Sequence, residues 1–363
     1  MSGPGLVLDA GSKMRSAASE EAALEDLHRL GCTDGLPVII PTVSRVDRMV
    51  LAGGMGPDLS LGTIGPLDGS ATVRSVAICA VMAGCRPDYF PVVLAAVSAL
   101  CDPVLDIGEV QVTTHNAGPM IVVNGPARYD CGPFESGTGA LGPGNQANAS
   151  VGRAIRLCLL NIGGARPGIA DMALTGQPAK FTFCLAEAEE DSPFPPLHVR
   201  LGYDAGQSVV TLLTAEAPRS LFCQVTEDVA DCSDRLLRQL GEAVASRASN
   251  NGSWGIGEAA IILNPEHAQV LARAGLNLSD VAQQVSAFSM KPRRQLHGPA
   301  YPPGLDLDVL IGLAPEQLLI MVAGGGGVYS MVVNSWGGGV HQNRHVCAEV
   351  SYGASCEVPR PLR

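Results

Sequence analysis

The sequence predicts a mixed α/β fold in two lobes. Three observations carry that reading. Short β-branched runs alternate with longer segments of helical spacing. Gly (43) and Pro (26) punctuate this alternation without any G-x-y period. Hydrophobic residues reach 46% and charged residues only 16% of 363, enough apolar matter for a sizeable core. An α+β arrangement is the other architecture this pattern allows.

Taken in order, residues 1–18 read as a loose tail, and 20–30 has helical spacing ending at Gly31. Residues 36–41 are extended, and Ser44 caps a helix that stops near Gly53. The stretch 56–69 is rich in turn residues. A helix over 71–83 is stopped by Gly84, and a second, with Pro87 in its first turn, runs to about Leu100. Residues 109–114 and 120–123 read as strands, and 148–161 as a helix stopped by Gly163 and Gly164. A strand at 181–185 leads into the acidic run 187–191, and the Pro-rich 193–196 marks the boundary between lobes 19–195 and 196–345, with 346–363 as a tail.

The second half repeats the alternation. Strands fall at 209–214, 259–263, 318–322 and 328–333, and helices at 233–247, after Asn264-Pro265, and at 278–288. Ile121-Val-Val-Asn-Gly-Pro126 and Ile261-Ile-Leu-Asn-Pro265 share a strand, Asn, Pro order, a weak internal echo that chance also explains.

The net charge is -11, and the only basic cluster is Lys291 with Arg293 and Arg294. Such a field repels a phosphate backbone, so nucleic-acid binding is not expected. The eleven cysteines are scattered, with no C-x-x-C, which fits buried thiols in a reducing compartment rather than a disulfide framework or a zinc site. The N-terminus lacks a secretory signal pattern, and no apolar run approaches the ~18 residues of a spanning helix, so a cytoplasmic, membrane-free protein is expected.

Chemistry concentrates in four places. The stretch 131–148 holds Gly132, Gly137, Gly139, Gly142 and Gly144, with Ser136, Thr138, Asn145 and Asn148 as neutral donors. It runs into a helix start, where backbone N–H groups favour an anion, and Arg153 and Arg156 follow on that helix. It is no Walker A loop, because no G-K-[ST] ends it. The alternative is a surface loop with capping residues. A polar turn carries His115 and Asn116, with Asn124 closing the next strand. Here a base and an orienting amide compete with plain hydrogen bonding. Glu187 and Glu189 follow a strand end and would face one side of a continued strand. The glycines at 324–327 and 337–339 fit close backbone packing or substrate approach equally well. His341 and His345 have metal-type spacing but no acidic or Cys partner in sequence, so no metal is expected. Cys131 is the best placed thiol nucleophile.

Several segments together resemble a known family. They are 72–97, Gly137-Thr-Gly-Ala-Leu-Gly-Pro-Gly-Asn-Gln-Ala-Asn148, Asn161-Ile-Gly-Gly-Ala-Arg-Pro-Gly168 and Gln177-Pro-Ala-Lys-Phe-Thr-Phe-Cys-Leu-Ala-Glu187. They are similar to a poorly described bacterial family often encoded beside a small companion protein. Within it, the chain resembles the larger subunit of the two-component aziridine-forming enzymes of azinomycin- and vazabitide-type pathways, over about 34–340. The resemblance implies an unusual α/β fold, no cofactor, a companion subunit and an amino-group carrier protein bearing the substrate. It also implies displacement of a sulfate ester by a neighbouring amine. On that reading the residues expected to do the work are Arg153, Glu187 and His115. Arg153 and Arg156 would sit behind the loop as donors to sulfate, and Glu187 or His115 would take the amine proton. A non-catalytic scaffold subunit, or a thiol enzyme using Cys131, are the rival readings.

Overall fold

Continuous apolar strands need cover on both faces, and the two sheets of this protein obtain it from each other and from helices. The structure is a computed structural model that describes residues 5–8, 13–247, 249–296 and 304–351. Eight strands form the two larger sheets: β1 Gly118–Asn124, β2 Cys184–Ala186, β3 Val209–Ala215, β4 Arg219–Phe222, β5 Ala259–Leu263, β6 Leu318–Val322, β7 Tyr329–Asn334 and β8 Val346–Glu349. The first sheet has the order β8-β3-β1-β2 and the second β4-β7-β5-β6.

Side chains alternate across each strand and divide the core into layers. Ile121, Val123, Val210 and Leu212 face a helical layer that includes Val73–Ala83, Phe90–Leu100 and Gln146–Asn161. Met120, Val122 and Leu213 instead meet Ile262, Leu319, Met321 and Val333 of the second sheet. Ile261, Leu263 and Ile320 turn outward against Leu236 and Leu240 of Val229–Val244 and Val281 and Val285 of Leu278–Ser289. The order is helices, sheet, sheet, helices, a mixed α/β fold. Each large side chain buried in this way contributes about 1.5–3 kcal/mol.

The two sheets repeat one plan. In both, the first strand has a parallel neighbour (β1 with β2, β5 with β6) and an antiparallel one (β3, β7), which carries an antiparallel edge strand. Registers match as well: Ile121 faces Cys184 as Ile261 faces Ile320, and Val122 faces Thr211 as Ile262 faces Met331. The edge strands are exchanged. After β3 the chain crosses to supply β4 to the second sheet, and after β7 it returns to supply β8 to the first. An isolated bridge joins Ala215, which ends β3, to Ser335, which follows β7. The strand, Asn, Pro echo thus falls on corresponding strands.

Local signals explain most elements. Thr72 accepts a hydrogen bond from Ser75 N, and Gly84, at φ 88°, ends that helix. Phe90–Leu100 is apolar all round because other elements surround it, and only Ser98 in it is not buried.

Four expectations change. Residues 109–114 are not a strand: Ile107–Val112 is a helix, with Ile107, Val110 and Gln111 on its inner face. The helix ending at Gly53 is capped by Thr42 rather than Ser44. The tail expected from 346 begins with β8, and β3 belongs to the first sheet, so neither sheet boundary falls at 193–196. Within the expected N-terminal tail, Gly5–Leu8 pairs with Lys13–Ser16, whereas the last twelve residues lie outside those described.

Candidate functional site

The Gln146–Asn161 helix organises the site. Asn145 caps it, its side chain accepting from Asn148 N at 2.9 Å. Gly152 lets another segment approach: a Cβ there would stand 2.3 Å from Thr182 Oγ1 and 2.6 Å from Phe183 N. One turn further on, the same approach brings Arg156 beside Lys180. Between them lies Asp171, whose Oδ2 accepts from Arg156 at 3.1 Å and whose Oδ1 accepts from Lys180 Nζ at 2.7 Å. Arg156 also donates to Ala165 O at 3.3 Å. The loop carrying Asp171 is wound on Arg166, whose carbonyl accepts from the amides of Ile169, Ala170 and Asp171.

These three side chains line a cavity of about 570 Å³, together with Thr33, Asp34, Thr175, Gln177 and the apolar Leu160 and Phe181. Asp34 is neutralised by Arg153, which donates to it through Nε at 2.7 Å and Nη2 at 2.8 Å. Setting that pair aside, the wall holds two cations and one carboxylate, an excess of one positive charge in a chain of net charge -11. Burial pushes the Lys180 amine below the ordinary lysine range, against the pull of Asp171. Gln177 Nε2 is anchored on Asn116 O at 2.8 Å and Ala215 O at 3.1 Å. A buried net charge with apolar walls is an arrangement that takes up an anionic ligand.

The structure places the sequence-predicted residues differently from one another. Arg156 lines the cavity. Arg153 does not stand behind the Gly-rich loop: it locks Asp34 and donates to Pro37 O at 2.9 Å. The loop itself satisfies its own donors. Asn148 Oδ1 accepts from Glu135 N, and its Nδ2 donates to Glu135 O and Ala140 O. Asn145 Nδ2 donates to Pro133 O at 3.1 Å, and Gly137 N donates to Glu135 Oε1 at 2.8 Å. Ser136 O accepts from Gly324 N at 2.7 Å. A Cβ on Gly325 would lie 2.0 Å from Thr138 Oγ1. The loop, with Gly139 left-handed at φ 83°, is therefore docked on the second glycine run.

His115 Nε2 lies 3.1 Å from Glu216 Oε1. It is not in the cavity wall, but Asn116 and Ala215, whose carbonyls hold Gln177, are the chain neighbours of this pair. Glu187 is only 1% exposed and belongs to a second cluster at the end of β2. Its Oε2 accepts from Asn124 Nδ2 at 2.6 Å and Leu197 N at 2.7 Å, and Ala188 N ties the same turn to Val322 O. Burial pushes its carboxyl above the ordinary glutamate range. Glu189 accepts from Asn124, Gly125 N and Arg128, and Arg128 holds the Glu190 carboxyl down to about 2. The strand stops at Ala186 instead of continuing through Glu187 and Glu189, and both carboxylates accept from Asn124 Nδ2.

Cys131 is 2% exposed, so the loop position does not present its thiol. His341 and His345 do have acidic partners: Asp106 lies 2.8 Å from His341 Nδ1, and Glu258 lies 2.9 Å from His345 Nδ1. Among the described residues, no group of three His, Cys, Asp or Glu side chains is placed to hold a metal. Lys180, Asp171, Asp34 and Gln177 were not picked out by sequence reasoning. Their elements are irregular, and no spacing rule ties 156 to 171 and 180.

Fold and site together define a four-layer α/β protein with a cavity lined by Arg156 and Lys180 beside the Gln146–Asn161 helix. A scan against protein-family models finds no match for the chain, and a comparison with curated proteins finds none either. No single helix among the described residues is long and apolar enough to cross a membrane.

Proposed function

We propose that this chain is a cytoplasmic enzyme subunit that binds a small organic anion in the Arg156–Lys180 cavity and expels an oxyanion from it. Sulfate is the leaving group that the family resemblance implies, displaced as a neighbouring amine closes an aziridine ring. The observation supporting this reading is the charge imbalance: the buried Arg156 and the half-buried Lys180 share the single carboxylate of Asp171 beside an open cavity. Donors held there before the reaction stabilise charge that grows on a departing oxygen.

The amine must lose a proton as it attacks. His115 is the better base of the two expected from sequence, because its chain neighbour Asn116 holds the cavity residue Gln177, whereas Glu187 is enclosed. Glu216 orients its ring. The exposed apolar side chains Ile169 and Leu174 beside the cavity offer a seat for a companion subunit presenting the carrier-bound substrate. The test is sulfate release from the sulfated, carrier-bound amine by this chain with its companion. Arg156→Ala should reduce turnover on the order of a hundredfold. Full turnover in that variant would remove the cavity from the reaction.

A further inference from the structure

The chain contains 21 arginines and only three lysines, at positions 13, 180 and 291. One of those three is the cation opposite Arg156 in the cavity. A position needing only a permanent positive charge on Asp171 is better served by arginine, with its planar fork and its proton that is never lost. Lysine is the cation that becomes a nucleophile once its proton leaves.

We propose that Lys180 forms an imine with a small 2-oxo acid, whose carboxylate is held by Arg156. This rests on the cavity being a ligand site, as proposed above, and adds a reaction that anion binding does not require. The geometry provides each part. The Lys180 side chain is 11% exposed and ends at a cavity large enough for a small acid. Arg156 and Lys180 bind opposite oxygens of Asp171, so a carboxylate on the guanidinium lies next to the amine. In a 2-oxo acid the carbonyl carbon is bonded directly to that carboxylate. Desolvation and the neighbouring guanidinium both favour the neutral amine, the two conditions that activate a lysine nucleophile.

The step balances without any redox partner. Asp171 Oδ1, at 2.7 Å, accepts a proton from the ammonium. The freed nitrogen pair attacks the carbonyl carbon as the C=O π pair moves to oxygen. A second nitrogen proton moves to that oxygen to give the carbinolamine. Asp171 then returns its proton to the hydroxyl, which departs as water and leaves a protonated C=N bond. One of the ammonium hydrogens stays on nitrogen and two leave in the water.

The test uses the full chain with sodium cyanoborohydride and, separately, pyruvate, 2-oxobutyrate and phenylpyruvate as probes. Intact mass and peptide mapping read the reduced adduct. The expected result is a single adduct on Lys180, formed about tenfold faster than any on Lys291 and suppressed by excess sulfate. No adduct on Lys180 with any of the three probes, or labelling no faster than at Lys291, overturns the proposal. Sulfate calorimetry on the same sample separates the two readings. Sulfate binding without an adduct leaves the anion site standing and ends the imine. An adduct without sulfate binding supports the imine and removes sulfate as the ligand.

Discussion

The protein buries two unbalanced charge clusters, and they resolve the imbalance in opposite ways. At the end of β2, the carboxylates of Glu187, Glu189 and Glu190 outnumber Arg128, with Arg200 also facing Glu187. Glu190 stands in solvent, and the innermost carboxyl is closed off: Glu187 accepts from Asn124 and Leu197 N, and burial favours a proton on it. On the other flank, Arg156 and Lys180 outnumber Asp171, and their excess faces a cavity. A closed excess is relieved by a proton and serves the fold. An open excess is one that a bound anion would relieve, as proposed above.

Removing the shared carboxylate should break the comparison most strongly. Asp171→Ala leaves Arg156 and Lys180 without their shared carboxylate and should cost about 3–5 kcal/mol by thermal or chemical denaturation. Added sulfate should restore part of that loss. Glu187→Ala should destabilise by about 2–4 kcal/mol, because Asn124 and Leu197 N lose their acceptor, and sulfate should restore none of it. Equal rescue of both variants would erase the distinction.

The pH responses sharpen it. Glu187 has a raised folded pKa, so the folded state binds more protons above the ordinary glutamate range. Its contribution to stability therefore falls as pH rises through that window, and Glu187→Gln should flatten the trend. Lys180 has a lowered folded pKa, so the unfolded state binds more protons between that value and the ordinary lysine value, and stability from this group rises with pH there. Sulfate affinity runs the other way, falling as the amine loses its charge earlier than an ordinary lysine would. Lys180→Arg should hold affinity constant through that range in a titration series. The smallest effect is expected at Cys131→Ala, which should leave sulfate affinity within about twofold, since Cys131 does not line the cavity.

The sequence made the strands legible because both faces of each are buried: 120–123, 259–263 and 318–322 are apolar runs bounded by turn residues. Helix ends at Gly84 and Asn264-Pro265 were equally plain, since capping is local chemistry. The segment 109–114 misled because Val110 and Val112 alternate like a strand, while a six-residue helix needs only Ile107, Val110 and Gln111 turned inward. Of the polar cavity residues, only Arg156 was visible. Arg156 follows a glycine-rich helix start, so its chemistry drew attention. Its partners did not, because Asp171 and Lys180 sit in irregular chain held by tertiary contacts. The Gly-rich loop misled for the same reason: Glu135 N donates to Asn148, and Ser136 O accepts from Gly324 N, far away in sequence.

Isothermal titration of the full chain with sulfate tests the central claim most directly. Binding at a single site is predicted, weakened at least about tenfold in Arg156→Ala, where a charge-assisted hydrogen bond worth about 1.5–3 kcal/mol is lost. Absence of binding, or affinity unchanged by Arg156→Ala, would contradict the assignment of this cavity as the anion site.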